Sequence, residues 1–295
     1  MSTESIAWIA ADWGTSNLRC WAMSADHRVI DRAESNCGMQ AVTTSGGDFE
    51  TALLDLIHPW LRHGGTLPVS ACGMVGAKQG WIEAPYVSAP CSPSTPTHRA
   101  ATRSSQISVS IHAGVMQSHP ADVMRGEETQ IAGLLALQPD FEGLVCLPGT
   151  HTKWVTITDG RIQSFQTFMT GEAFALLTQH SVLRLTLATE GWDEAAYLEG
   201  LHSSIDSPAN LLSHTFRLRA ESLLNGLDST AARSRLSGLL IGHELSAIRP
   251  THHVILIGAE SLTRPYQTAL QTLDTKATVL DSDSATLAGL SASRS

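Results

Sequence analysis

Short apolar runs alternate along this chain with longer stretches of helical spacing. Ile6, Trp8, Ile9, Ala10 and Ala11 form a nearly unbroken apolar run, as expected of a strand buried on both faces. Asp12 ends the run, and Gly14, Thr15, Ser16 and Asn17 supply a turn before residues 19–23 restart a strand. A third strand is predicted over 29–33, a loop over 36–40, and a helix over 49–61 with Asp48 as its N-cap and Gly64 and Gly65 as its stop. A buried strand follows over 68–72, an irregular Pro/Ser/Thr-rich stretch over 88–105, and a strand over 107–111. Residues 122–130 lead into a helix that runs to Leu137.

The pattern then restarts. Residues 143–147 read as a buried strand, 148–153 as a polar loop and 154–158 as a strand, with Asp159-Gly160 as a hairpin turn to 161–168. The strand, polar turn, strand device thus occurs twice, at 12–17 and 148–153, which suggests two similar halves facing each other. From Thr170-Gly171-Glu172 to about residue 249 the chain reads as mostly helical, with clear periodicity over 211–227 and 231–248, where Gly242 allows close packing. A buried strand over 252–257, a helix over 263–273, a strand over 277–280 and a helix over 284–290 complete an α/β alternation.

Composition narrows the class. The 295 residues suffice for one large domain or two medium ones. A net charge of −9 argues against non-specific nucleic-acid binding and against an anionic membrane surface. No apolar run is long enough to span a membrane, and the N-terminus lacks the basic-then-apolar pattern of a signal peptide. Five cysteines at 20, 37, 72, 91 and 146 show no CxxC and no zinc spacing; Cys20, Cys72 and Cys146 read as buried thiols, which suits a reducing cytoplasm. The 13 histidines are scattered, and His252-His253 has no carboxylate at ligand spacing.

Three stretches carry candidate chemistry. A turn such as 14–17 offers backbone N–H groups that can cradle an anion. Asp12 beside it can hold a hydrated Mg²⁺ whose other ligands come from phosphates, or can simply cap its turn. The loop 73–86, with Gly73, Gly76 and Gly80 followed by Trp81, Glu83 and Tyr86, directly follows a strand; it reads as a ligand loop or as ordinary surface. Glu127 and Glu128 open a helix, where the macrodipole alone favours acids. Neither a Walker A loop nor a Rossmann fingerprint is present.

Three Gly-containing loops follow three buried strands: Asp12-Trp13-Gly14-Thr15, Leu147-Pro148-Gly149-Thr150 and Leu256-Ile257-Gly258-Ala259. Their order and spacing resemble the actin, Hsp70 and sugar-kinase superfamily. DWGTSNLR, GMVGAKQGW with EAPY, DVMRGEETQ, LPGTHTKWV, MTGE and GLLIGHE further resemble, in order, the signatures of the 2-dehydro-3-deoxygalactonokinase family. The resemblance runs from Asp12 to at least Glu260; the chain departs from it at Ala77, where the family pattern has Ser and a hydroxyl contact is lost.

The resemblance implies an α/β, two-lobed actin-like (ribonuclease H-like) ATPase fold with a mixed sheet in each lobe and a cleft between them. Residues 1–140 would form the N-terminal lobe with the first phosphate hairpin and the sugar-acid loop. Residues 141–295 would carry the second phosphate hairpin and the adenosine loop. It implies an ATP- and Mg²⁺-dependent kinase acting on the 6-hydroxyl of 2-dehydro-3-deoxy-D-galactonate, and it suggests a homodimer. Asp12 would hold the metal; Gly14, Thr15, Ser16 and Asn17, and Gly149, Thr150, His151 and Thr152, would contact phosphates; Gly258 and Ala259 would receive the adenosine. Lys153 adds charge or lies beside its hairpin, and Arg19 reaches the phosphates or forms a structural ion pair. Asp122, Glu127, Glu128 and Glu172 are candidates for the carboxylate near the sugar hydroxyl, with Glu127 and Glu128 favoured. For the keto acid, Lys78 and Arg125 are the candidate cations, Gly73 and Met74 belong to the loop beside it, and Trp81 and Tyr86 form an apolar wall or belong to the core. The alternatives are another sugar or acid kinase of the superfamily, an exopolyphosphatase-like phosphatase, or a non-catalytic sugar-responsive regulator.

Overall fold

A computed structural model describes residues 5–61, 65–250 and 252–294. The chain forms two compact units. The first comprises the chain up to Glu142, Ile157–Ser164 and the stretch from Ser282; the second comprises Gly143–Thr156 and Phe165–Asp281. Among the described residues, no helix is long and apolar enough to cross a membrane.

In the first unit the strands are β1 (Trp8–Trp13), β2 (Leu18–Met23), β3 (Val29–Ser35), β4 (Leu67–Gly73), β5 (Val87–Ser88), β6 (Thr97–Arg99), β7 (Ile107–His112), β8 (Val115–Ser118) and β9 (Ala121–Met124). Its helices are α1 (Met39–Thr44), α2 (Phe49–Ile57) and α3 (Glu127–Leu137). The main sheet has the order β3-β2-β1-β4-β7-β6, with β1, β4 and β7 parallel. β1 is buried on both faces, as its apolar run predicts. Ile9, Ala11 and Trp13 join Leu53 and Ile57 of α2 in one core cluster, whereas Trp8 and Ala10 join Cys72 and Leu290 in another. Strand alternation therefore puts Asp12 on the second of these faces.

Several elements differ from the sequence reading. The helix from Phe49 is capped by Asp48, which accepts from the Thr51 N–H, but it ends at Ile57 and tightens to a 3-10 turn over His58–Trp60. Pro59 has no N–H to continue the α-ladder; of the expected stops Gly64 and Gly65, Gly64 lies outside the described residues and Gly65 lies beyond the helix end. The loop expected over 36–40 runs into α1 at Met39. Residues 115–124 form a hairpin that joins β5 in a small sheet, so Asp122 sits on a strand opposite Gln117 rather than at a helix entry.

The second unit contains β10 (Gly143–Leu147), β11 (Thr152–Thr158), β12 (Arg161–Phe168), α4 (Thr170–Gln179), α5 (Glu194–Asp206), α6 (Leu211–Asn225), α7 (Ser229–Ile248), β13 (Val254–Ile257), α8 (Glu260–Thr272) and β14 (Ala277–Leu280). Residues 157–164, the tip of the β11–β12 hairpin, are counted with the first unit. The sheet order is β12-β11-β10-β13-β14, with β10, β13 and β14 parallel. In both main sheets a three-strand meander in reverse order is followed by parallel strands on the far side of its first strand. This is the mixed α/β architecture of the actin-like fold. One core cluster joins Cys146, Trp154, Val254 and Leu256 of the sheet to Tyr197, Ile241 and Tyr266 of its helices. Gly242 lets α7 approach Leu201 of α5, as its position suggested.

The last helix, α9 (Ser282–Ala292), packs within the first unit, whereas the sequence division gave all of 141–295 to the second lobe. The reason is local. A Cβ on Gly133 of α3 would lie 1.8 Å from the Ala285 carbonyl oxygen, and one on Gly289 would lie 2.0 Å from that of Thr129. Two glycines thus bring α3 and α9 into backbone contact. Gly133→Val should cost about 3 kcal/mol or more, because neither helix backbone can yield. Urea melts of the purified variant check this; an unchanged midpoint would contradict the packing.

Candidate functional site

The first unit gathers its polar groups where β1 and β4 end. The parallel register sets Asp12 beside Cys72 and Trp13 beside Gly73. The Arg19 guanidinium bridges the carboxylates of Asp12 and Asp283, so Arg19 is an ion-pair bridge in this structure. Burial pushes the Asp12 carboxyl up from its ordinary value, against the opposing pull of Arg19. Its Oδ1 lies 3.9 Å from the Cys72 thiol, which acts as donor.

The donor set suits a hydrated hard cation rather than a fully coordinated one. Among the described residues no cluster of three or more His, Cys, Asp or Glu could hold a metal ion, so any cation at Asp12 would rely on water and phosphate oxygens. The space before the carboxylate is kept open by Gly73. Its φ is +90°, and a Cβ there would strike the Trp13 carbonyl oxygen at 2.6 Å and approach Asp12 Oδ1 at 3.4 Å. A single, largely buried carboxylate facing such a gap fits Mg²⁺.

The turn after β1 is held from behind. Gly38, Met39 and Gln40 donate backbone N–H groups to the carbonyls of Ser16, Gly14 and Thr15 at 3.0–3.1 Å. Thr15, Ser16 and Asn17 are left exposed at the tip.

The N-terminus of α3 adds two carboxylates. Glu127 is half-buried and accepts the Arg125 N–H at 2.9 Å. Glu128 is fully buried and accepts the Gly126 N–H at 2.7 Å. Burial first, and then the neighbouring Glu127, push Glu128 up to about 8. It also acts electrostatically on Cys72, as Asp12 does. Asp122, by contrast, accepts the N–H of Val123 next to it.

A raised carboxyl is a stability statement. Glu128 binds its proton more tightly folded than unfolded, so its contribution is full below the unfolded value near 4.5 and is lost as pH rises towards about 8. Glu128→Gln should therefore flatten the fall in melting temperature between pH 5 and 8. Parallel pH profiles for wild type and variant would contradict the assignment.

The Gly-rich loop splits its candidates. Trp81 is partly buried and meets Trp13 edge-on, with ring centroids 6.3 Å apart, so it serves the core. Tyr86 is exposed, and the Arg125 guanidinium lies 4.3 Å from its ring centroid. Arg125 is buried and donates to the Ala84 carbonyl at 2.8 Å, while its Nε and Nη1 have no hydrogen-bond partner. Lys78 is exposed, and Met74 is half-buried beside Gly73.

The second unit holds a cavity of about 490 Å³, large enough for a nucleoside-sized ligand. Pro148, Gly149, Thr150 and Thr152 line one end; Trp192, Phe174, Leu240 and Ile241 give apolar walls, with Arg233, Ser234 and Ser237 among them. The turn is tied to α4, since the Glu172 N–H donates to the Thr150 carbonyl at 2.9 Å. His151 Nε2 and Glu172 Oε2 are 2.6 Å apart, so Glu172 is engaged with the turn. Lys153 is buried, and its ammonium donates to the His151 carbonyl at 3.2 Å. On the α8 side the cavity is walled by Ser261, Leu262, Pro265 and Tyr266, one step beyond Gly258 and Ala259.

Trp192 lies in the loop before α5, Arg233 on α7 and Tyr266 on α8; the sequence reading gave none of them to the site, because what joins them is the packing of distant segments. One sequence mark nearby is Glu244, an acid inside the apolar run GLLIGHEL.

Comparisons with known proteins bear on the whole chain. The family profile described as 2-keto-3-deoxy-galactonokinase matches residues 12–293. A probable 2-dehydro-3-deoxygalactonokinase of Rhizobium meliloti (strain 1021) is 38% identical over 294 residues, covering 96% of this chain and 95% of that protein. The 2-dehydro-3-deoxygalactonokinase of Escherichia coli (strain K12) is 36% identical over 287 residues, covering 96% of each. A crystal structure from Sinorhizobium meliloti, of a protein provisionally named 2-dehydro-3-deoxygalactonokinase, superposes with a TM-score of 0.89 at 35% identity and covers 97% of both chains.

Proposed function

This chain belongs to the 2-keto-3-deoxy-galactonokinase family, and on that premise we propose that it transfers the γ-phosphoryl group of ATP to the 6-hydroxyl of 2-dehydro-3-deoxy-D-galactonate. The observation that carries the reading is the family match from residue 12 to 293, which takes in Asp12, the α3 carboxylates and the nucleoside-sized cavity.

In the reaction the bond from the γ-phosphorus to the β,γ-bridging oxygen breaks and a bond to the sugar O6 forms. ADP leaves, and the hydroxyl proton passes to a carboxylate. Catalysis then rests on positioning and charge neutralisation. We assign the nucleoside to the cavity of the second unit, with Trp192 and Phe174 against its apolar faces. Each unit offers a turn suited to phosphate oxygens: Gly14, Thr15, Ser16 and Asn17 in the first, and Gly149, Thr150 and Thr152 in the second. Asp12 would hold Mg²⁺ through water, and the ion when bound neutralises phosphate charge.

Of the two α3 carboxylates, Glu128 keeps its proton to about pH 8 and is unsuited to accept one at neutral pH. Glu127, half-buried beside it, is the better base or orienting group. Lys78 and Arg125 supply the positive charge that draws the keto-acid carboxylate to the Gly-rich loop. Free cysteines throughout support a cytoplasmic setting.

Phosphorus NMR of the product tests the reaction class. A phosphate monoester coupled to the C6 protons is expected from the galacto acid, with the gluco epimer as comparison. Inorganic phosphate as the sole product would point to a phosphatase instead.

A further inference from the structure

The buried acid Glu244 of α7 lies behind the cavity and is 1% exposed. Trp154 of β11 donates its indole N–H to Oε1, and Thr170 at the start of α4 donates its hydroxyl to Oε2. Tyr266 of α8 donates its hydroxyl to the same Oε2 at 3.0 Å. The Tyr266 hydroxyl is in turn 3.0 Å from the hydroxyl of Thr152, in the turn that lines the cavity. Cys146 of β10 and Tyr197 of α5 also feel the acid's charge, and the Tyr197 hydroxyl is occupied by the Pro265 carbonyl at 2.7 Å. Among the described residues no cation pairs with Glu244.

Hydrogen counting along this chain gives two arrangements. With Glu244 ionised, Tyr266 must donate to it. Thr152 then donates to Tyr266 and presents only lone pairs elsewhere. With Glu244 protonated on Oε2, the acid donates to Tyr266, Tyr266 donates to Thr152, and the Thr152 proton is released for another acceptor. A phosphate oxygen at this turn needs a donor and is repelled by a nearby buried charge, so both effects favour the second arrangement.

We propose that Glu244 is a positioning residue for the nucleotide: acting through Tyr266, it sets whether the Thr152 hydroxyl donates towards the phosphates. The inference rests on the assignment of ATP to this cavity. Nucleotide binding then takes up a proton at Glu244. Burial already pushes this carboxyl up to about 7, so the uptake falls within a workable pH range.

The test is the Mg-ATP dissociation constant of the folded protein by calorimetry between pH 6 and 8.5, in buffers of different ionisation enthalpy. Wild type should bind about tenfold more weakly at pH 8.5 than at pH 6, equivalent to one unit of linked pKa shift, with proton uptake on binding. Glu244→Gln, neutral at every pH, should bind with a flat profile near the low-pH wild-type value. Tyr266→Phe keeps the ring, cuts the relay and should lose most of the pH dependence even if the Gln variant folds poorly. If wild type binds Mg-ATP with no pH dependence, or if Tyr266→Phe keeps the full dependence, the relay is wrong and the kinase reading stands. A wild type that binds no nucleotide in this pH range would overturn both.

Discussion

Asp12→Asn should lower kcat by at least about a thousandfold while the protein stays folded. The substitution keeps the shape of the side chain and removes the charge. Arg19 still has Asp283, so its guanidinium is not stranded. A buried carboxylate that pays for desolvation is replaced by a neutral amide, so no large loss of stability is expected. If Asp12 orients a hydrated Mg²⁺, phosphate charge in the transition state goes unneutralised and turnover collapses. Initial rates of ADP release, with a melting curve as control, decide the matter. Near-wild-type turnover at saturating Mg²⁺ would remove Asp12 from the mechanism.

Gly149→Val should weaken Mg-ATP binding by about a hundredfold and leave the melting temperature near that of wild type. A Cβ on Gly149 meets no protein atom within 4 Å, so the added side chain fills space the protein does not use. The same space borders the cavity assigned to the nucleotide. The contrast with Gly133 is useful, because there the added carbon meets backbone and the cost falls on stability. Calorimetric titration with Mg-ATP reads the effect, and unchanged affinity would take the second turn out of the phosphate site.

Those two residues were legible in the sequence because turns announce themselves. An acid at the end of a buried apolar run and a glycine between a strand and a polar turn are local signals, and the structure keeps both at strand ends. The repeated strand, polar turn, strand device was legible for the same reason, since short apolar runs separated by turn formers give it away; the sheet order was not. What the sequence did not show is what depends on contacts between distant segments. The α3–α9 docking through Gly133 and Gly289 moved the last helix into the first unit, and neither glycine differs in pattern from others in helices.

Asp122 looked like a helix-entry acid because the β8–β9 hairpin is only four residues per strand and carries little alternation. The split between Glu127 and Glu128 is a matter of burial, which adjacent identical residues cannot signal. The sequence left Lys153 either adding charge or lying beside its hairpin and kept Glu172 as a candidate carboxylate for the sugar hydroxyl; the structure engages each with His151. Trp81 and Tyr86 had equivalent claims on the substrate until packing against Trp13 took the first into the core.

The most direct test of the kinase assignment is coupled ADP release by the purified protein with Mg-ATP, with and without 2-dehydro-3-deoxy-D-galactonate. ADP release should depend on the sugar acid, with one ADP formed for each sugar phosphate. Folded, nucleotide-binding protein that releases no more ADP with the sugar acid than without it, or that hydrolyses polyphosphate in its absence, would contradict the assignment.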